Sequence, residues 1–161
     1  MSLNAQIALS IVAHESSSSD LASEMRVTPA TYGLMLTNGT GANQAQVVWS
    51  DSATVPDGNE NLRTFASLAD DRGSVAITAL KVIYFKNTGS LPLTVAPYQW
   101  SVGPVASGTQ IQVQAGGVLV MVAPTASGWS TAGANAAILI VNGNGVSVSY
   151  DMMLVGEGTV S

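Results

Sequence analysis

The chain has 161 residues, no cysteine, and 5 Lys or Arg against 10 Asp or Glu, for a net charge of −5. That length suffices for one domain with a substantial core and no staples, and the missing cysteines exclude disulfides and thiolate-bound metals. The acidic balance argues against a nucleic-acid binder, whose Lys and Arg would cluster, and no apolar run approaches the roughly 18 residues that would cross a bilayer.

Charged side chains make up 9% of the chain, against about 25% in an average globular protein. Mean hydropathy is +0.32. The surface must therefore be built largely from Ser, Thr, Asn and Gly, and so sparse a charge suits a surface covered by copies or partners. MSLNAQIALSIVAHE at the start carries no basic leader and alternates apolar with polar, so it does not read as a signal peptide.

Taken in order, the chain reads as a series of short strands. Residues 5–13 place Ile7, Leu9 and Ile11 on one face. SSSSD at 16–20 is a polar loop, and 20–25 is the one helical candidate, too short to matter. Tyr32, Leu34 and Leu36 form a second alternating run that stops at Asn38-Gly39. Residues 44–50 form another strand, closed by Asp51 and then by the turn Pro56-Asp57-Gly58-Asn59. Residues 61–68 put Leu62, Thr64, Ala66 and Leu68 on one face, and Asp70-Asp71-Arg72-Gly73 turns the chain.

The run at 77–87 is apolar on both faces from Val82 to Phe85, the pattern of a central strand. Asn87-Thr88-Gly89 ends it, and residues 91–95 are expected to return as the second arm of a hairpin. Strands follow at 111–114 and 118–123, then a loop from Pro124 to Gly133 that holds Trp129. Residues 136–143 and 146–155 flank Asn142-Gly143-Asn144-Gly145, a second hairpin signal. In the last strand Val146, Val148, Tyr150, Met152 and Leu154 share a face, and beyond Met153 both faces turn apolar.

Short strands at this spacing predict an all-β protein: a single β-sandwich domain over residues 1–161, jelly-roll-like and antiparallel, with an immunoglobulin-like sandwich as the alternative. Residues 1–20 are expected to be an arm or an edge strand. The expected core is Ile7–Ala13, Val82–Phe85, Val118–Val122, Ile138–Val141 and Val146–Leu154.

No constellation of residues carries chemistry. His14 is the sole histidine, and no G-x-S-x-G elbow surrounds any serine, so it reads as a strand-end or loop residue. Asp57, Asn59 and Glu60 lack calcium-loop spacing and read as a turn, as does Asp70-Asp71 with Arg72 beside it. Asn38-Gly39-Thr40 matches a glycosylation sequon but also reads as a turn, and Gly116-Gly117 lacks the Lys-Ser/Thr of a phosphate loop. No catalytic residue, cofactor or metal site is expected. The aromatic residues Trp49, Tyr98, Trp100 and Trp129 allow two readings: rings that stack on sugars, or rings that cap the sandwich and anchor subunit contacts. Tyr98, Trp100 and Trp129, with the loops 97–108 and 124–133, are the expected interface residues.

Several phrases in order give the chain a family resemblance. NGTGANQAQVVWSD at 38–51, the segment 62–68, AGGVLVMVAPTASGW at 115–129 and YDMMLVGEG at 150–158 resemble the small head decoration or cement proteins of tailed bacteriophages. The resemblance spans most of residues 38–158 and fits residues 1–37 less well. It implies a non-enzymatic virion structural protein, made in the host cytoplasm, that binds the major capsid protein on the outer surface of the head, often as a homotrimer. It transfers no catalytic residue. An arm formed by residues 1–20 would then clamp a neighbour. The alternative function is a carbohydrate-binding module of a tail fibre or spike.

Overall fold

The computed structural model describes residues 3–12, 14–16, 24–26, 30–106, 108–133 and 136–161, with backbone alone at 14–16 and 24–26. Fifteen strands and no helix occur among the described residues. They are β1 (Asn4–Ile11), β2 (His14–Ser16), β3 (Glu24–Arg26), β4 (Ala30–Asn38), β5 (Gln44–Ala45), β6 (Val47–Val55), β7 (Glu60–Thr64) and β8 (Leu68–Asp70). After these come β9 (Gly73–Asn87), β10 (Leu93–Tyr98), β11 (Ile111–Val113), β12 (Val118–Val122), β13 (Trp129–Ser130), β14 (Ala137–Val141) and β15 (Val148–Val160).

Eight of these strands form two facing sheets, ordered β6-β15-β9-β12 and β7-β14-β10-β11. The four antiparallel pairs β6·β15, β7·β14, β9·β12 and β10·β11 nest inside one another in sequence. A long ribbon of paired strands has folded over on itself, so consecutive strands alternate between sheets except where β10 turns into β11. That is the jelly roll, and its strand order excludes the immunoglobulin alternative.

Residues from both inner faces meet in one core, including Trp49, Phe65, Leu80, Phe85, Trp100, Ile140, Tyr150 and Leu154. Inside it, the Phe65 and Trp100 rings meet edge-on at 4.8 Å, and Phe85 stacks on Tyr150 at 5.2 Å. β9 is central, as expected, with Val82, Ile83 and Phe85 buried.

Both expected hairpins are corners between the sheets. β10 pairs with β11 and β14 rather than with β9, and β14 and β15 lie in opposite sheets. A buried asparagine builds each corner. Asn87 Nδ2 donates to the carbonyls of Leu91 (2.8 Å) and Val113 (3.0 Å), while its Oδ1 accepts from Gly89 N. Asn142 Nδ2 donates to the carbonyls of Val55 and Val146, both at 2.8 Å, and its Oδ1 accepts from Asn144. These amides tie the turn to strands that a two-residue hairpin would never reach.

Other expectations also change. The strand expected at 61–68 breaks at Phe65, which turns inward and is buried, while Leu62 is exposed. The strand expected at 44–50 is divided at Gln46 into β5 and β6, and β6 runs past Asp51 as far as Val55. Met25, within the helical candidate, lies in β3; residues 20–23 are outside the described residues. Trp129 pairs with Leu80 in a short strand instead of lying in an open loop.

The expected core is corrected at three places. In β12 Leu119 and Met121 pack on the sandwich core and Val122 packs under the β1–β4 sheet, while Val118 and Val120 lie beyond that cover and face outward. Val146 precedes the last strand and is exposed, as is Met153. Of the segment expected at Ile7–Ala13, the described part, residues 7–12, lies outside the sandwich altogether. There β1 pairs with β4 in a separate three-stranded sheet, β1-β4-β5, laid on the outer face of the larger sheet. Ile7 is partly buried, Leu9, Ile11 and Val12 are exposed, and Ala13 is outside the described residues.

The last strand bends where two register shifts interrupt its pairing with β9, between Val155 and Gly156 and between Glu157 and Gly158. Extra residues Lys81 and Thr78 on β9 are accommodated there, as in a β-bulge. A Cβ on Gly158 would lie 1.9 Å from the carbonyl oxygen of Ala76, so glycine is required at that bend.

Candidate interaction surfaces

The end of the sandwich near the β10–β11 connection carries the expected interface residues. Gln99 takes a positive φ of 46°, which drops the next side chain inward. Trp100 is 2% exposed, and its Nε1 donates to the Ser130 carbonyl at 2.7 Å, so its ring is unavailable to a partner. Trp49 is likewise buried, donating to the Ala69 carbonyl. Trp129 is half-buried against the core, and Tyr98 is 38% exposed. Of the three expected contact residues, only Tyr98 and part of Trp129 face outward. Between them and the β11–β12 edge runs an apolar slit lined by Pro97, Trp100, Pro104, Val105, Ile111 and Leu119.

The loop leading to Trp129 is held from below by Lys81. Lys81 is fully buried. Its ammonium donates to the carbonyls of Thr125 (2.6 Å) and Ala126 (2.5 Å) and pairs with Glu157 at 2.9 Å. Two carbonyl hydrogen bonds and an ion pair hold its ammonium, so Lys81 is a structural pin. Position 81 sits at the β-bulge, a register irregularity that leaves no mark in an apolar sequence pattern.

An acidic edge runs along β6, β8 and the following turn. Asp51 pairs with Arg63 at 2.5 Å, and Arg72 makes a two-oxygen contact with Asp70 and also donates to the Val48 carbonyl. Hydrogen bonds from the Arg72 side chain and backbone hold the Asp70 carboxyl down to about 2. Burial pushes the Tyr150 hydroxyl up, against the opposing Asn61 hydrogen bond. Asp57 accepts from Gly145 N at 2.6 Å, locking two turns together. Among the described residues no three His, Cys, Asp or Glu side chains group as a metal site would need. Asn38-Gly39-Thr40 forms a bend, with Gly39 N bonded to the Ala45 carbonyl.

The third surface is the one the sequence hinted at least. β1 and β4 pair over Asn4–Ile11 and Ala30–Thr37, so Leu3, Ala5, Ile7, Leu9 and Ile11 share a face with Ala30, Tyr32, Leu34 and Leu36. The half containing Leu3, Ala5, Ile7, Leu34 and Leu36 packs on Val48, Val82, Val122 and Val155 of the larger sheet. The half with Leu9, Ile11 and Tyr32 is exposed and packs on neither core among the described residues. No protein-family model and no curated protein matches the chain.

Proposed function

We propose that this chain is a non-enzymatic structural protein of a tailed-phage virion, attached to the outer surface of the head and stabilising the shell of major capsid protein. The carrying observation is a jelly roll that leaves an uncharged apolar surface exposed, with Leu9, Ile11, Tyr32, Val118, Val120 and Met153 open to solvent. Large apolar patches mark surfaces meant to be covered. The phrases at 38–51, 115–129 and 150–158 that resemble head decoration proteins fall on β6, on β12 with the Lys81-pinned loop, and on β15. They therefore form much of one sheet and one end of the sandwich. Jelly rolls also serve as lectins, so the fold alone decides nothing.

The test adds purified protein to heads that lack it. Saturable co-sedimentation at a fixed ratio to the capsid subunit, with a raised temperature of shell disruption, is the expected result. Failure to bind heads, together with glycan binding lost in Tyr98→Ala or Trp129→Ala, would transfer the protein to the carbohydrate-binding reading.

A further inference from the structure

The outer face of the larger sheet is arranged in rows across its strands. The row Val122–Val82–Val155–Val48 lies under the chain's own β1–β4 arm. Two residues along each strand, the next row is Val120–Tyr84–Met153–Ser50. Side chains two apart point the same way, about 7 Å from the covered row. This second row is left open, with Val120 at 38% and Met153 at 42% exposure, and Val118 beyond it at 54%.

The arm shows the complementary excess. Its stripe continues past the covered half as Leu9, Ile11 and Tyr32, exposed at 50%, 60% and 41%. Residues 3–12 and 30–38 contain no charged side chain, so nothing on the arm would seek a charged ligand. The inner half of the stripe already shows what this surface packs against: the branched valine side chains of this same sheet face. Among the described residues β1 is also a free edge of its sheet, bonded only to β4. An exposed edge beside an exposed apolar face is a liability unless another chain covers it.

We infer that the outer half of the β1–β4 arm of one copy docks on the Val118–Val120–Tyr84–Met153 strip of a second copy, so that two arms roof each outer sheet face. The contact joins unlike surfaces, so it closes either as a reciprocal pair or as a ring. Shell attachment is a separate matter: the association occurs in free solution, without any capsid.

The chain's lack of cysteine makes the test clean. Ile11→Cys and Val120→Cys variants are mixed under mild oxidation and examined beside sedimentation of the wild type. Wild-type oligomers at ~100 µM and disulfide-linked heterodimers of the two variants are expected. Leu9→Asp/Ile11→Asp and Val120→Asp/Met153→Asp should each sediment as monomers, their association weakened about 100-fold or more because charge enters a desolvated seam. Mixed together, these two variants should recover a dimer through the one intact contact. Circular dichroism confirms that each variant is folded; all the substituted positions are exposed or half-exposed, so folding survives. A wild-type monomer at that concentration, or disulfides formed only between two Ile11→Cys chains, overturns the inference. A monomer that nonetheless binds heads would sink the self-association while leaving the shell reading intact. An oligomer that ignores heads would do the opposite.

Discussion

Replacing Lys81 by Met keeps most of the side-chain volume and removes the ammonium. Left behind in the fold are the carbonyls of Thr125 and Ala126, to which it donates, and the carboxylate of Glu157, whose charge it balances. Removing one partner of a buried ion pair costs about 3–5 kcal/mol. Thr125 and Ala126 lie on an exposed turn and the Glu157 side chain keeps 17% exposure, so water can partly replace the lost donors. The expected loss is therefore at the lower end, about 3 kcal/mol. For a chain of this size that corresponds to a fall in Tm of about 6–12 °C. Denaturant unfolding gives the free energy, and chymotrypsin cleavage after Trp129 reports release of the loop. Lys81→Met/Glu157→Met should regain about 1 kcal/mol or more over the single variant, because it deletes the stranded carboxylate. If Lys81→Met stays within about 0.5 kcal/mol of wild type, an ordinary surface value, the pin does not hold the loop.

Asn142→Ala strands the carbonyls of Val55 and Val146 at a buried corner and should cost about 2–4 kcal/mol by denaturant unfolding, with the far-ultraviolet spectrum unchanged. An equal cost for Asn144→Ala, whose amide reaches the Pro92 carbonyl from a partly buried site, would show that the corner depends on neither residue in particular. The Asp70 carboxyl should titrate near 2 by carbon-detected NMR in the folded protein and return towards about 3.9 in Arg72→Ala. Its folded value is depressed, so its stabilising contribution is complete above about 4 and is lost as pH falls towards 2. A midpoint that does not move in Arg72→Ala would refute the pairing.

What could be read from the sequence was whatever depends on period two. The alternation of Val148, Tyr150, Met152 and Leu154 holds because that face of β15 is core from Val148 to Leu154, and the double apolar face at Val82–Phe85 holds because Ile83 and Phe85 face the sandwich core while Val82 lies under the β1–β4 arm. Turn chemistry was read correctly as a reversal and wrongly as a hairpin. Asn142-Gly143-Asn144-Gly145 supplies the same positive-φ flexibility to a corner as to a two-residue loop, with Gly145 at φ 83°. What separates the two is where the asparagine amide finds its carbonyls, and Val55 lies 87 residues away in the chain. No local pattern encodes that distance.

The arm exposes the same limit from the other side. Ile7, Leu9 and Ile11 alternate as cleanly as any core strand, so periodicity assigned them all to the interior. Period two states only that a strand has one apolar face; it does not say which chain supplies the cover. The fold uses that face for half its length and then runs out of its own surface at Leu9. Trp100 errs in the opposite direction: its loop position suggested a contact residue, yet a single left-handed residue before it turns the ring into the core. The contact inferred above therefore lies away from the aromatic loops, where the sequence placed it, on a plain apolar ribbon with no charge and no motif. On such a surface specificity has to come from shape and register, since rows of side chains about 7 Å apart are all that distinguish one docking position from the next.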